Sequence, residues 1–312
     1  MKPSTTSKFP SSRAIILVVA VALIFAGSYF VQRTFDPPPK DQPQSYQRIV
    51  ALSPSAVEII YQLDLDNTLV GVSRFCRYPE DASTKPVVGG YLDLDFEALL
   101  RLEPDCVILL NEQHLLAERL DQLGIKTISL DHASTTGIID SIHALGNTLG
   151  KQSEASVITQ NILNRIEKVT AQSQSISTKP RVLVCINRDT TSAQPDRIIA
   201  AGNAGVHQEY ITMAGGINAY QGSIAYPSIS REKLIEMNPD IIIDLIPEDT
   251  WKSIGKAKLL QQWSHYHELR AVSRQQIYFV HENKHMIPGP RFADTLEIFA
   301  QAIQASLSPE KP

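Results

Sequence analysis

Two stretches of this chain repeat one pattern, and the repeat constrains the fold more than any other feature. Asp95–Leu110 reads DFEALLRLEPDCVILL and Ser230–Leu245 reads SREKLIEMNPDIIIDL. Each has Glu in third place, Leu in fifth, then Pro-Asp and an apolar run. A Tyr precedes each Glu at the same offset, Tyr91 before Glu97 and Tyr226 before Glu232. Asp95 and Ser230 suit the N-cap of a short helix, which puts Glu97 and Glu232 in the first turn. The residue before each Pro is pushed out of the helical region, so the helix ends there. The apolar runs that follow read as core strands. A helix–turn–strand unit that occurs twice predicts two α/β lobes.

The rest of the pattern agrees. From Arg48, RIVAL reads as a strand, and Ser53-Pro54 as an N-cap with Pro in the first helical position. SAVEIIYQL has helical periodicity, TLVGVS is strand-like, and AERLDQLG and KTISL repeat the alternation, which indicates a parallel sheet with helices on its faces. Between Thr136 and Ser175 the alternation stops, and apolar residues recur at helical spacing, with Gly150 and Lys151 marking a kink or break. RVLVCIN, RIIAAG, HQEYITMAG and DIIIDL then resume it, and RFADTLEIFAQAIQASL closes as an amphipathic helix. The expected organisation is an N-terminal lobe over 48–135, a linking backbone helix over 136–178 and a C-terminal lobe with its closing helix over 179–312.

Ahead of the lobes, Ala14–Val31 is an unbroken run without charge, preceded by Lys2, Lys8 and Arg13. It is about as long as a short membrane span and longer than the usual apolar core of a signal peptide. Its cleavage signal is poor, because Ile24 stands two places before Ala26, and no Cys follows for lipid attachment. Residues 1–33 therefore read as an uncleaved anchor, with a cleaved signal peptide as the other reading. The basic flank keeps the N-terminus in the cytoplasm, so everything after the run is exported. Residues 34–47 form a Pro-rich tether.

Composition narrows the partners. A net charge of -4 without a long basic run argues against nucleic acid. Cys76, Cys106 and Cys185 make no CxxC and no metal spacing, and an odd number leaves at least one thiol free. Neither GxSxG nor a phosphate-binding GxxxxGK[ST] occurs. HENKH at His281–His285 fits the HExxH pattern of zinc proteases, but a strand-like QQIYFV precedes it and Pro288-Gly289-Pro290 follows. That leaves no helix to set both histidines on one face, as the chemistry requires. An exported zinc hydrolase is the rival reading from another class.

RIVALSPSAVEIIYQL, VGVSRFCRYP, KPVVGGYLDLDFEALLRLEPDCVILL, LDQLGIKTISLD, MAGGINAY, PSISREKLIEMNPDIIID and IPGPR together resemble the periplasmic substrate-binding proteins of ABC importers for cobalamin and ferric siderophores. The resemblance runs from Arg48 to about Ala305. It implies two α/β lobes joined by a backbone helix, a ligand held in the cleft between them, and no catalytic residue. It also implies a permease partner that docks on one Glu per lobe, at Glu97 and Glu232. Against that stands the helix dipole, which alone favours an acid in a first turn by about 0.3–1 kcal/mol.

For the ligand, the resemblance points to Phe75 and Tyr91, with Arg74 and Arg77 nearby, and the internal repeat adds Tyr226. Flat rings suit a planar chelate of cobalt or iron; each ring could equally pack beneath a loop. Arg291 either reaches a ligand carboxylate or amide, or braces the lobes. Haem is the alternative ligand, with Tyr91 as phenolate, although GGY sets this Tyr off the expected position. His114, His132 and His207 read as ordinary surface or core residues, and neither a resident cofactor nor a metal site is expected.

Overall fold

In the computed structural model, which describes residues 45–91 and 93–307, the first lobe is built on a parallel sheet. Its strands are β1 (Ile49–Ala51), β2 (Leu69–Val72), β3 (Cys106–Leu110) and β4 (Lys126–Leu130), in the order β2-β1-β3-β4. Strand alternation sorts the side chains by face. Ile49, Ala51 and Ile108 pack with Ala56, Ile59 and Ile60 of helix α1 (Pro54–Gln62). Val50, Leu52, Val107 and Leu109 pack the other way, against Leu99 of α2 (Phe96–Arg101) and Leu120 of α3 (His114–Gln122). Both faces are buried, which is why these strands read as unbroken apolar runs.

The linking segment is two helices, α4 (Thr135–Thr148) and α5 (Gln152–Ser173), rather than one. Gly150 between them has φ +73°, a conformation that L side chains rarely adopt and that ends the first helix. The 22 residues of α5 make a rod about 33 Å long.

The second lobe carries β5 (Arg181–Asp189), α6 (Val206–Met213), α7 (Arg231–Met237), α8 (Glu248–Ile254), α9 (Lys256–Trp263), α10 (Arg270–Ser273) and α11 (Phe292–Leu307). Its sheet adds β6 (Asp196–Ala200), β7 (Ile217–Asn218), β8 (Ser228–Ile229), β9 (Ile241–Leu245) and β10 (Ile277–Val280), ordered β10-β9-β5-β6-β8 with β7 beside β5. The sheet is mixed: β10, β9, β5 and β7 pair in parallel, whereas β6 pairs antiparallel with β5 and β8 antiparallel with β6. One hydrophobic core runs through both lobes. It joins Ile49 and Ile108 to Val182 and Ile243 through Ile142, Ile162, Tyr210 and Phe299. Cys76, Cys106 and Cys185 are buried free thiols.

The repeat holds to the level of single hydrogen bonds. Asp95 caps α2 by accepting from the Ala98 N–H, and Ser230 caps α7 by accepting from Lys233 N–H. Glu103 and Asn238, each before its Pro, turn left-handed at φ +43° and +40°. Asp105 accepts the Arg48 N–H at 3.1 Å and donates its own N–H to the Arg48 carbonyl. Asp240 does the same with Arg181, at 2.9 Å. The Arg48 guanidinium donates to the Leu102 carbonyl and that of Arg181 to the Met237 carbonyl, at the C-terminal ends of α2 and α7. Each lobe thus staples a short helix to the start of a core strand in the same way.

Ala14–Val31 and most of the tether lie outside the described residues; among the described residues no helix is long and apolar enough to cross a membrane.

Candidate functional site

The first lobe sends the loop after β2 toward the second. A cavity of about 270 Å³ opens there, walled by Phe75 and Tyr78 from this loop, Pro54 and Glu58 from α1, and Met286, Ile287 and Arg291 from the segment before α11. Phe75 and Tyr78 are 54% and 51% exposed, so both rings present free surface at this cavity. α1 begins as the sequence predicts: Ser53 accepts from the Ala56 N–H, and Pro54 fills the first position. Its one acid, Glu58, faces the other lobe.

Arg291 pairs with Glu58 of the first lobe. Its Nε and Nη2 donate to the two Glu58 carboxylate oxygens at 2.8 and 2.6 Å, and its guanidinium lies 4.0 Å from the Tyr78 ring centroid. Burial pushes the Glu58 carboxyl up from its ordinary value, and the two guanidinium hydrogen bonds pull against that shift. Gly289 permits this approach, since a Cβ there would stand 2.8 Å from the Ser55 Cβ on α1. Arg77 reaches across as well, 3.7 Å from Asp249 of α8.

Arg74 is turned to its own lobe, where it pairs with Asp93 at 2.5 Å and fastens the two loops that carry Phe75 and Tyr91. Tyr91 does not share the Phe75 cavity. It lines a second one of about 460 Å³ with Asp93, Phe96, Glu112 and Arg119. Tyr226, 53% exposed, comes from the second lobe, and its hydroxyl lies beside Gly205 at the start of α6. Burial pushes the phenols of Tyr91 and Tyr226 up, and the negative charge of Glu112 adds to both shifts.

Three residues of this region were missed by sequence reasoning. Tyr78 stands inside the SRFCRYP stretch, where its ring was the available signal. Glu58 is the lone acid of an otherwise apolar helix, a signal that could have been used. Glu112 lies in a three-residue 3-10 turn (Asn111–Gln113), without any local pattern to mark it.

Glu97 and Glu232 both occupy the second position of their helices and are exposed. Arg101 donates to Glu97 at 3.2 Å, one turn on. The backbone N–H of Glu232, then the Ser230 hydroxyl, holds its carboxyl below the usual range.

The HENKH stretch is a 3-10 turn over Asn283–His285. His281 stacks on Trp251 with ring centroids 4.1 Å apart, whereas His285 is buried with Nδ1 3.0 Å from the Thr295 hydroxyl. The two histidines thus face different surroundings. His132 is buried with Nδ1 2.8 Å from the Ser55 hydroxyl, His207 packs edge-on to Tyr210, and His114 is exposed. Among the described residues, no group of three or more His, Cys, Asp or Glu is placed to hold a metal ion.

Comparison with known proteins adds to the geometry. The profile of the periplasmic binding protein family matches residues 49–283. A Bacillus subtilis protein named as an uncharacterized ABC transporter substrate-binding lipoprotein is 25% identical over 263 residues, 82% of this chain and 80% of the relative. The vitamin B12-binding protein of Vibrio cholerae is 26% identical over 261 residues, 82% of this chain and 88% of the relative. Among solved structures, the periplasmic heme-binding protein from Roseiflexus sp. RS-1 superposes with a TM-score of 0.71 at 24% identity, over 84% of this chain and 99% of that one. At that identity the likeness is one of fold.

Proposed function

The chain belongs to the periplasmic binding protein family, and from that premise we propose that it captures a cobalt or iron chelate outside the cytoplasmic membrane and passes it to an ABC importer. The observation that carries this reading is the ring-lined cavity between the lobes, with Phe75 and Tyr78 on one side and Met286 and Ile287 on the other. Large exposed rings beside an apolar wall suit a flat chelate. The B12-binding relative supports a corrinoid ahead of a ferric siderophore as the ligand class. Phe75, Tyr91 and Tyr226 serve as contact rings, while Arg74 and Arg291 hold the walls that carry them. The chain carries its ligand and does not transform it.

Glu97 and Glu232 are the docking points for the permease, one on each lobe. Their matched helical position and exposure support this, as does the identical stapling of their helices. Residues 14–31 hold the protein at the outer face of the membrane, on the strength of their length and lack of charge.

Haem bound through a tyrosinate finds less support, because GGY sets Tyr91 off the position expected for such a ligand.

Thermal melts of the full chain in detergent, with and without cyanocobalamin, test the capture reading. A ligand at 100 times its dissociation constant should stabilise by about 2.7 kcal/mol. No shift with any corrinoid, siderophore or haem at millimolar concentration would overturn it.

A further inference from the structure

The duplicated unit repeats more than its glutamate. Aligned position by position, Glu97, Leu99, Leu100, Pro104 and Asp105 of the first copy fall on Glu232, Leu234, Ile235, Pro239 and Asp240 of the second. Most of these have a local duty that accounts for them. Leu99 and Leu234 are fully buried in the cores of their lobes. Each Pro ends its helix, and each Asp staples that helix to a core strand. Leu100 and Ile235 have no such duty: they stand outside those cores, 48% and 39% exposed. Each lies three residues after its glutamate, which sets acid and aliphatic group side by side on one helix face. A single exposed aliphatic side chain is ordinary on a protein surface. One at the same place in both lobes, beside an exposed acid each time, is a patch built twice. Such a molecule fits a partner that presents the complement twice, as a two-fold symmetric assembly does.

We propose that Leu100 and Ile235 are apolar docking contacts: each enters a hydrophobic recess beside a basic group on the permease, one recess per half of a two-fold membrane partner. This rests on the reading of Glu97 and Glu232 as docking points, and it adds a part of the interface whose strength does not depend on salt. Ion pairs at an exposed rim are screened by salt, whereas the burial of an aliphatic group is not. The exposed Glu97–Arg101 pair is a surface pair of little worth, which a basic partner displaces. Covering the exposed part of one such aliphatic side chain is worth about three- to tenfold in affinity.

The test is binding of the full chain to the ABC permease of its own host, reconstituted in nanodiscs, at low and at high salt. Leu100→Gln and Ile235→Gln keep a good helix former in place while removing the apolar contact, and each is checked by its melting curve. Each should weaken docking about three- to tenfold, the double change should multiply the two losses, and the losses should persist at high salt. The loss from Glu97→Ala or Glu232→Ala should shrink there. Leu100→Met and Ile235→Met, still apolar, should bind much as wild type does. If the Gln variants bound as tightly as wild type while the Ala variants lost affinity, the glutamates would dock without these side chains, and the inference would be wrong while the docking reading stood. Sedimentation of the chain alone addresses another occupant: a dimer that Leu100→Gln dissolves would make this face a contact between copies and overturn the inference. If neither the Gln nor the Ala variants changed docking, the docking reading would fall and this inference with it.

Discussion

Removing Arg291 should cost this fold more than removing its partner, although the two make the same ion pair. Glu58 is 3% exposed and Arg291 17%. Arg291→Ala leaves a largely buried carboxylate without its partner, and breaking a buried pair in this way costs about 3–5 kcal/mol. Glu58→Ala leaves a guanidinium on a flexible stem that can turn toward solvent, so its cost falls below that range. At roughly 2 °C per kcal/mol for a chain of this size, Arg291→Ala should melt about 6–10 °C below wild type. The deficit should also depend on pH. Burial raises Glu58 even with Arg291 present, and without Arg291 nothing in the pair opposes it. An acid whose folded pKa lies above its unfolded value favours folding below the unfolded value, and that favour is lost as pH rises through the folded one. Hence the gap between Arg291→Ala and wild type should shrink on going from pH 8 to pH 5. Replacing both partners, Glu58→Leu with Arg291→Met, should recover most of the loss, because no charge then remains buried. The assay is a series of thermal melts at both pH values. If Arg291→Ala melted within 2 °C of wild type, or the double replacement were no better than the single one, the pair would not be a buried clamp.

Three further outcomes follow from the same structure. Burial drives the imidazoles of His132 and His207 down to about 4, so the folded state binds fewer protons than the unfolded one between there and the ordinary value. Their stabilisation is whole above pH 6.5 and drains away as pH falls toward 4, together contributing a slope of up to about 2.7 kcal/mol per pH unit; urea melts of His207→Leu from pH 7 to 5 should show about half that contribution gone. Glu97→Ala and Glu232→Ala should leave ligand affinity within twofold but impair uptake into vesicles holding the permease, the double change most; a tenfold loss of ligand affinity with normal docking would put these acids in the ligand site instead. Solution scattering with and without ligand should differ little, because closing about a wide hinge would tear the core that joins Ile108 to Ile243 through Ile142 and Phe299; a large compaction would contradict that.

What could be seen in the sequence was whatever local rules write locally. The caps at Ser53, Asp95 and Ser230, the Pro-Asp stops and the apolar strands were legible because each is decided within a few residues. The break between the two linking helices showed in Gly150-Lys151. Strand direction is another matter, since a short apolar run looks the same whichever way its partner runs. The antiparallel β6 and β8 were therefore hidden, decided by pairings with β5 and with each other. The site suffered most. Arg291 and Glu58 lie 233 residues apart, and no spacing rule reaches that far. Tyr91 and Phe75 lie on two loops joined by the Arg74–Asp93 pair yet line separate cavities, which no local pattern could show.

The duplicated unit carries more physical content than its matching glutamates. A first-turn acid gains about 0.3–1 kcal/mol from the helix dipole anywhere, so position alone would not separate a docking residue from a capping one. Helices of six and seven residues, however, are too short to persist unaided. In both lobes the shortfall is met by the same device. An aspartate after the proline, Asp105 or Asp240, takes the first N–H of a core strand, and the arginine that donates it reaches back to the last turn of the helix. The strands so engaged, β1 and β5, begin in the core that runs through both lobes. Each glutamate is thereby tied to one shared core through two or three hydrogen bonds. The proposed docking of both glutamates on a single membrane partner would make use of that connection, since it holds the two acids to a common core.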